Sequence, residues 1–389
     1  MKRTQHYRLQ SKRWKRICAI LLTVIILCIC SLYLIKHKPV TSKPESKVVK
    51  KADKPASKGV IKGLNQNVFL ENNDLSVSFN TQLKESGFIG TALVVQNNHV
   101  ILQKGFGYAD KKKNRLNDAQ SLYQIASIQK GFTATLIMQQ IHAGKLQLNT
   151  LLSQYYPNIP DANKVTIKEL LTMTSGLTEK ANASVFTTEA ENVAFDAEHT
   201  TVINSAKWSY QPINYRLLAG ILMKITHKTY SELFNEAFNK KYHLNVSDYK
   251  DFMRNQHRTI GYKNADYSQL ASESALSYAF ETGTGNMAMT TGNLYTFYRL
   301  LIDHVMLNKN TLNTMWQHPV TSHYASGMYH YDEYSTAHGF ILGFEPTVIM
   351  TKNGQDAVIL MSNENVKGQS WQPLAKQLFA QMTAIKIIK

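Results

Sequence analysis

Residues 123–141 read YQIASIQKGFTATLIMQQI, and the pattern changes character at Ser127. From Gly131 to His142 apolar positions recur at 3.6-residue spacing and stop at Gly144, which predicts a helix starting near Ile128. Ser127 then stands at the helix N-terminus, with Lys130 one turn on and on the same face. A nucleophile so placed has its oxyanion intermediate near unpaired backbone N–H groups and the positive end of the helix dipole. An amine buried against apolar neighbours can accept the serine proton. A second Ser-x-x-Lys, Ser247–Lys250, lies in a polar stretch with no helix start. Taken alone, the first pair also fits an N-cap serine beside a surface lysine.

Working outward, Thr91–Gln96, Asn97-Asn98 and His99–Lys104 predict a β-hairpin, because paired Asn tolerates the positive φ of a two-residue turn. Thr347–Thr351 and Asp356–Met361, joined through Asn353-Gly354, predict a second one. Ser370 is expected to cap a final helix with Leu374, Leu378, Phe379 and Met382 on one face. Between the hairpins the periodicity is mostly helical, over Val165–Met173, Tyr215–Ile225, Tyr230–Phe238 and Leu294–Met306. The expected fold class is therefore α/β (α+β): an antiparallel sheet built from both ends of the domain, flanked by helices, with an inserted helical lobe.

From Gly90 to Ala384 the chain resembles the serine β-lactamase and penicillin-binding-protein superfamily, in its class C-like branch of low-molecular-weight peptidases and esterases. The matching text, in the family's order, is GFGYAD (105–110), the stretch 123–141, GKLQLNTLLSQYYPNIP (144–160) and TIKELLTMTSGL (166–177), followed by WSYQPINYRLLAGILMKITHKTYSELF (208–234), TGTGNMAMTTGNLYTFYRLL (282–301), AHGFILGF (337–344) and VILMSNEN (358–365). The resemblance implies Ser127 as the acylated nucleophile, Lys130 as its proton acceptor, and Tyr210 as the tyrosine of a Tyr-x-Asn motif whose phenol relays protons. It implies that His338-Gly339 is the His-x-Gly form of the third motif, on the strand bordering the cleft. The oxyanion hole would then be formed by the N–H of Ser127 and a strand N–H near Ile341. Three departures stand out. Pro212 replaces the Asn and has no side-chain amide to offer Lys130 or a substrate. Phe340 replaces the closing Gly and could crowd the cleft, and Met173 replaces the histidine usual before Thr-Ser-Gly-Leu.

The chain has 389 residues, with Gly 19 and Pro 9, which excludes a collagen-like or disordered polymer. Its net charge of +17 is uneven: residues 1–16 carry +7, residues 36–62 another +7, and the rest +3. A nearly neutral main body argues against nucleic acid as a partner. Between the basic blocks, Ile17–Ile35 is uncharged and spans about 28 Å as a helix, the hydrocarbon thickness of a bilayer. No A-x-A site follows it and no lipobox precedes Cys30, so an uncleaved transmembrane signal anchor is expected. Lys and Arg counts tie across the segment, but the cluster abutting the membrane is N-terminal, which favours an inside N-terminus and an extracellular body. The expected organisation is a basic cytoplasmic tail (1–16), the anchor (17–35), a basic flexible stem (36–66) and the hydrolase domain (67–389). The stem reads either as a solvated spacer or as a contact for an anionic polymer or lipid headgroups. Cys18, Cys28 and Cys30 all lie in the anchor, so the body has no thiol chemistry. No cofactor or metal is expected: His318, His323, His330 and His338, with Asp332 and Glu333, lack paired-ligand spacing, and Gly283-Thr284-Gly285 lacks a phosphate-cradle fingerprint.

The function expected from the resemblance is a membrane-anchored extracellular serine hydrolase of the cell envelope. Its substrates would be D-alanyl groups on an envelope polymer (teichoic acid or peptidoglycan), with D-alanyl esters of teichoic acid first. The replacement of the Asn by Pro212 and of the closing Gly by Phe340 bears more on peptide or β-lactam substrates, and an ester opens more easily than an amide. The alternatives are a D-alanyl-D-alanine carboxypeptidase or penicillin-binding protein, a catalytically degraded binding protein, and a β-lactamase.

Overall fold

The structure is a computed structural model and describes residues 61–388, apart from 182–184, 186–187, 204–206 and 366–367. Its main sheet has eight antiparallel strands: β1 (Val68–Phe69), β2 (Gly90–Gln96), β3 (His99–Phe106), β4 (Tyr324–Ala325), β5 (Met328–His330), β6 (Tyr334–His338), β7 (Glu345–Thr351) and β8 (Ala357–Ser362). Their spatial order is β1-β3-β2-β8-β7-β6-β5-β4, so a strand from each end of the domain meets at the centre, with Gly90 opposite Ser362 and Val95 opposite Ala357. Both predicted hairpins form. Asn97 and Asn98 take φ of 49° and 64°, the positive values that a two-residue turn requires, and Gly354 takes 65° in the second turn.

Alternation along the central strands divides the core in two. Leu93, Val95, Ile359 and Met361 face the helical lobe, whereas Ala92, Val94, Val358 and Leu360 face helices α1 (Asp74–Glu85) and α6 (Gln372–Thr383). The lobe contains α2 (Gln129–His142), α3 (Ile167–Thr172), α4 (Ile213–Thr226) and α5 (Thr291–Ile302) among its helices. Phe132 of α2 stacks on Phe297 of α5 with centroids 3.6 Å apart, which seats the helix after Ser127 deep in this core.

Several local expectations shift. Trp371, not Ser370, is the N-cap of α6, although Ser370 Oγ still accepts the Gln372 N–H at 3.1 Å. The segment from Tyr230 is α-helical only to Phe234 and continues as a π-helix over Asn235–Lys240. The helix predicted from Val165 starts at Ile167, where Thr166 and Glu169 form a capping box. Among the described residues no helix is long and apolar enough to cross a membrane, and Ile17–Ile35 and most of the stem lie outside them.

His330 gives the fold a pH dependence. It is buried in the β4–β6 region, with Nε2 3.2 Å from the Ala325 carbonyl and Nδ1 3.0 Å from Ser335 Oγ. A carbonyl only accepts, so Nε2 carries a proton. Burial pushes its pKa down to about 3. The unfolded chain binds a proton there below its ordinary value of about 6.5 while the folded chain refuses it until about 3, so folding stability falls as pH drops through that window. His330→Gln is expected to flatten the Tm-against-pH curve between those limits. Parallel curves for the two proteins in thermal scans would refute that.

Candidate active site

The chain enters the site through a strained turn. Ala126, in a short 3₁₀ turn over Ala126–Ile128, takes φ of 45°, a left-handed value uncommon for a residue with a side chain, and α2 follows at once. The turn presents Ser127 at the head of the helix, and Lys130 Nζ lies 3.0 Å from Ser127 Oγ. Lys130 is 1% exposed, and its other hydrogen-bond partner is the Thr284 carbonyl at 3.3 Å. A serine hydroxyl held 3.0 Å from an amine can pass its proton along that line as the oxygen attacks a carbonyl carbon. The second Ser-x-x-Lys does nothing comparable: Ser247 is tied by its backbone to Ala288, Asp248 caps a short helix, and Lys250 is exposed.

Strand β6 completes the wall. A Cβ added at Gly339 would lie 2.6 Å from Ser127 N and 2.8 Å from Ala126 Cβ, so only glycine lets the strand end approach the nucleophile. On the far side, a Cβ at Gly327, in the β4–β5 turn, would meet Gly131 N at 2.3 Å, which clamps the sheet edge onto the backbone after Lys130. The strand N–H expected near Ile341 is not that of Ile341 itself. The Ile341 N–H is consumed by the Phe344 carbonyl at 3.0 Å, and Ile341 does not line the cleft. The Phe340 N–H, one residue nearer Ser127, makes no hydrogen bond among the described residues, and neither does that of Ser127. These two groups are the available pair for a developing oxyanion.

Ser127, Tyr210, His338, Gly339 and Phe340 line one cleft of about 480 Å³, together with Tyr324, Tyr329, Tyr331, Gln372 and Lys376. Tyr210 is placed as the resemblance implies, but it meets Lys130 differently. Lys130 Nζ sits over its ring, 5.3 Å from the centroid, and the phenol hydrogen-bonds to nothing among the described residues. Ser127 and Lys130 are thus joined directly, while Tyr210 presents its ring face to the amine. Its approach is set by the Ser209 N–H, which donates to the Met173 carbonyl at 2.9 Å, so the residue replacing the family's histidine acts through its backbone. Pro212 lies off the cleft wall, at the N-cap of α4. Asn214 is tied to Ser175 at 2.6 Å and does not stand in for the missing amide. Phe340 is half exposed at the cleft rim, edge-on to His338 with centroids 4.4 Å apart.

His338 is held from behind by Glu345, with Nε2 2.9 Å from Oε1. Sequence reading missed Glu345, the Thr284 carbonyl and the tyrosine-rich wall from β4 and β5, because each reaches the site from a distant segment. Among the described residues no three His, Cys, Asp or Glu side chains converge as a metal site would need.

The Beta-lactamase family model matches residues 78–381. The chain belongs to this family. It is a serine hydrolase of the β-lactamase and penicillin-binding-protein type. A putative penicillin-binding protein, PbpX of Bacillus subtilis, is 29% identical over 83% of this chain and 81% of its own length. Protein flp of Staphylococcus aureus is 25% identical over 70% of this chain but only 59% of its own. Among solved structures, FmtA of Staphylococcus aureus shares the fold with a TM-score of 0.70 at 21% identity, covering 81% of this chain and 90% of that one. D-amino acid amidase from Ochrobactrum anthropi does so at 0.65 and 20%, covering 80% and 98%.

Proposed function

We propose that the chain is a membrane-anchored, extracellular cell-envelope hydrolase that forms an acyl-enzyme on Ser127 and removes D-alanine esterified to teichoic acid. The observation that carries the acyl-enzyme reading is the 3.0 Å contact between Ser127 Oγ and the buried Lys130 amine at the foot of an open cleft. The cleft wall supports the choice of substrate. A D-alanyl ester carries a free ammonium, and the rings of Tyr210, Tyr324, Tyr329 and Tyr331 offer it π faces. The partly buried Lys376 suits the phosphates of an anionic chain. With Pro212 off the wall, no amide side chain from the Tyr-x-Asn position remains to grip a peptide bond, which favours an ester. A D-amino acyl substrate also accords with the name of the amidase that shares this fold. Residues 17–35 would hold the enzyme in the membrane beside its polymer.

The test is D-alanine release from D-alanylated lipoteichoic acid by the full chain and by Ser127→Ala. Release by the wild type and its complete loss in the variant are expected. Equal release by both proteins, or none from the wild type with no mass adduct on Ser127, would overturn the reading. Release from a D-Ala-D-Ala pentapeptide but not from the polymer would favour the carboxypeptidase instead.

A further inference from the structure

Glu345 is a buried carboxylate without a role in the chemistry so far. It opens β7, is 1% exposed, and its Oε1 accepts three donors: His338 Nε2 at 2.9 Å, Ser370 Oγ at 2.5 Å and the Trp371 N–H at 2.8 Å. Burying a carboxylate is costly, and a glutamine carbonyl would satisfy Ser370 and Trp371 equally well. What the charge adds is its effect on the imidazole. Because a carboxylate only accepts, Nε2 carries a proton in this contact, and in the neutral tautomer the lone pair is left on Nδ1. Nδ1 has no protein partner among the described residues and is not a buried atom, in a side chain that lines the cleft with Ser127. The next residue, Gly339, abuts the Ser127 backbone, and the imidazole lines the same cleft as the Ser127 hydroxyl.

We propose that Glu345 and His338 form a dyad for the second half of the reaction, the opening of the acyl-enzyme by water. The proposal rests on the Ser127 acyl-enzyme reading. Water gives a proton to His338 Nδ1 as its oxygen bonds to the acyl carbon, and the carbonyl electron pair moves onto the oxygen facing the Ser127 and Phe340 N–H groups. The tetrahedral species then collapses, the bond from the acyl carbon to Ser127 Oγ breaks, and Oγ takes the proton back from Nδ1. A carboxylic acid leaves and ionises in solvent, and both residues return to their starting states. In between, the imidazolium is stabilised by Glu345, which acts as a positioning residue.

The test uses the full chain with the p-nitrophenyl ester of D-alanine, following the nitrophenolate burst, steady-state turnover and the mass of the protein. In His338→Ala the burst is expected to persist while turnover falls about 100-fold. Acylated Ser127 should then accumulate, and added 4-methylimidazole should restore turnover. Glu345→Gln, which keeps an acceptor for Ser370 and Trp371, should accumulate the same adduct with a smaller loss. Equal falls of burst and turnover in both variants, or unchanged turnover, would overturn the dyad. If wild type and variants alike never acylate Ser127, the acyl-enzyme reading falls, and the dyad with it.

Discussion

Lys130→Met lowers the rate of Ser127 acylation by about three orders of magnitude, within the range for losing a positioned proton acceptor. The amine lies 3.0 Å from the nucleophile, and no other basic side chain hydrogen-bonds to Ser127 Oγ among the described residues. Methionine suits the site because the lysine stem is already buried in α2, and an unbranched apolar chain fills that space without leaving a buried charge. The Thr284 carbonyl loses one donor, which costs about 1 kcal/mol of stability and leaves the chain folded. Single-turnover acylation by an activated D-alanyl ester, beside a thermal scan, measures both effects. A loss of less than tenfold would mean that another group takes the serine proton.

Gly339→Ala is the second large effect, and it acts through the backbone. The new Cβ would stand 2.6 Å from Ser127 N, 2.8 Å from Ala126 Cβ and 3.2 Å from Ser127 Cβ. The nearest of these belongs to the main chain of a turn already held at a positive φ, so no side chain can swing aside. Either the turn or the end of β6 must retreat, which separates the N–H groups of Ser127 and Phe340. Losing one oxyanion donor costs about 100- to 1,000-fold in kcat. The overpacking should remove a further 1–3 kcal/mol or so of stability. Acylation and deacylation should fall together, unlike the selective loss of deacylation expected for His338→Ala. Activity within fivefold of wild type would show that the Phe340 N–H is not an oxyanion donor.

Much of the molecule follows from local rules that a one-dimensional reading can apply. The apolar run Leu93, Val94 and Val95, paired Asn at 97 and 98, and the helical period after Ser127 specify the hairpin and α2 wherever the rest of the chain goes. Ser127 and Lys130 belong to that local class, since one helical turn separates them. Ser370 and the Phe234–Asn235 boundary show the limit: a cap one residue later and a change to π-helix are settled by packing that local periodicity does not encode.

Contacts between distant segments were decided by tertiary structure alone. Which N–H faces the oxyanion depends on the turn after β6, where Ile341 bonds Phe344 and leaves Phe340 open. Whether Tyr210 offers Lys130 its oxygen or its ring depends on how the start of α4 sits against α2. Glu345 reaches His338 because β6 and β7 are antiparallel neighbours with His338 opposite Thr347, which brings residues seven apart within hydrogen-bonding range. The sequence by itself determined that Ser127 and Lys130 share one helix face and that a sheet joins the two ends of the domain, because spacing and turn chemistry suffice for these. The surroundings of that pair and the N–H groups left open beside it needed the folded chain, because close approaches between remote backbones leave no periodic trace in the order of residues.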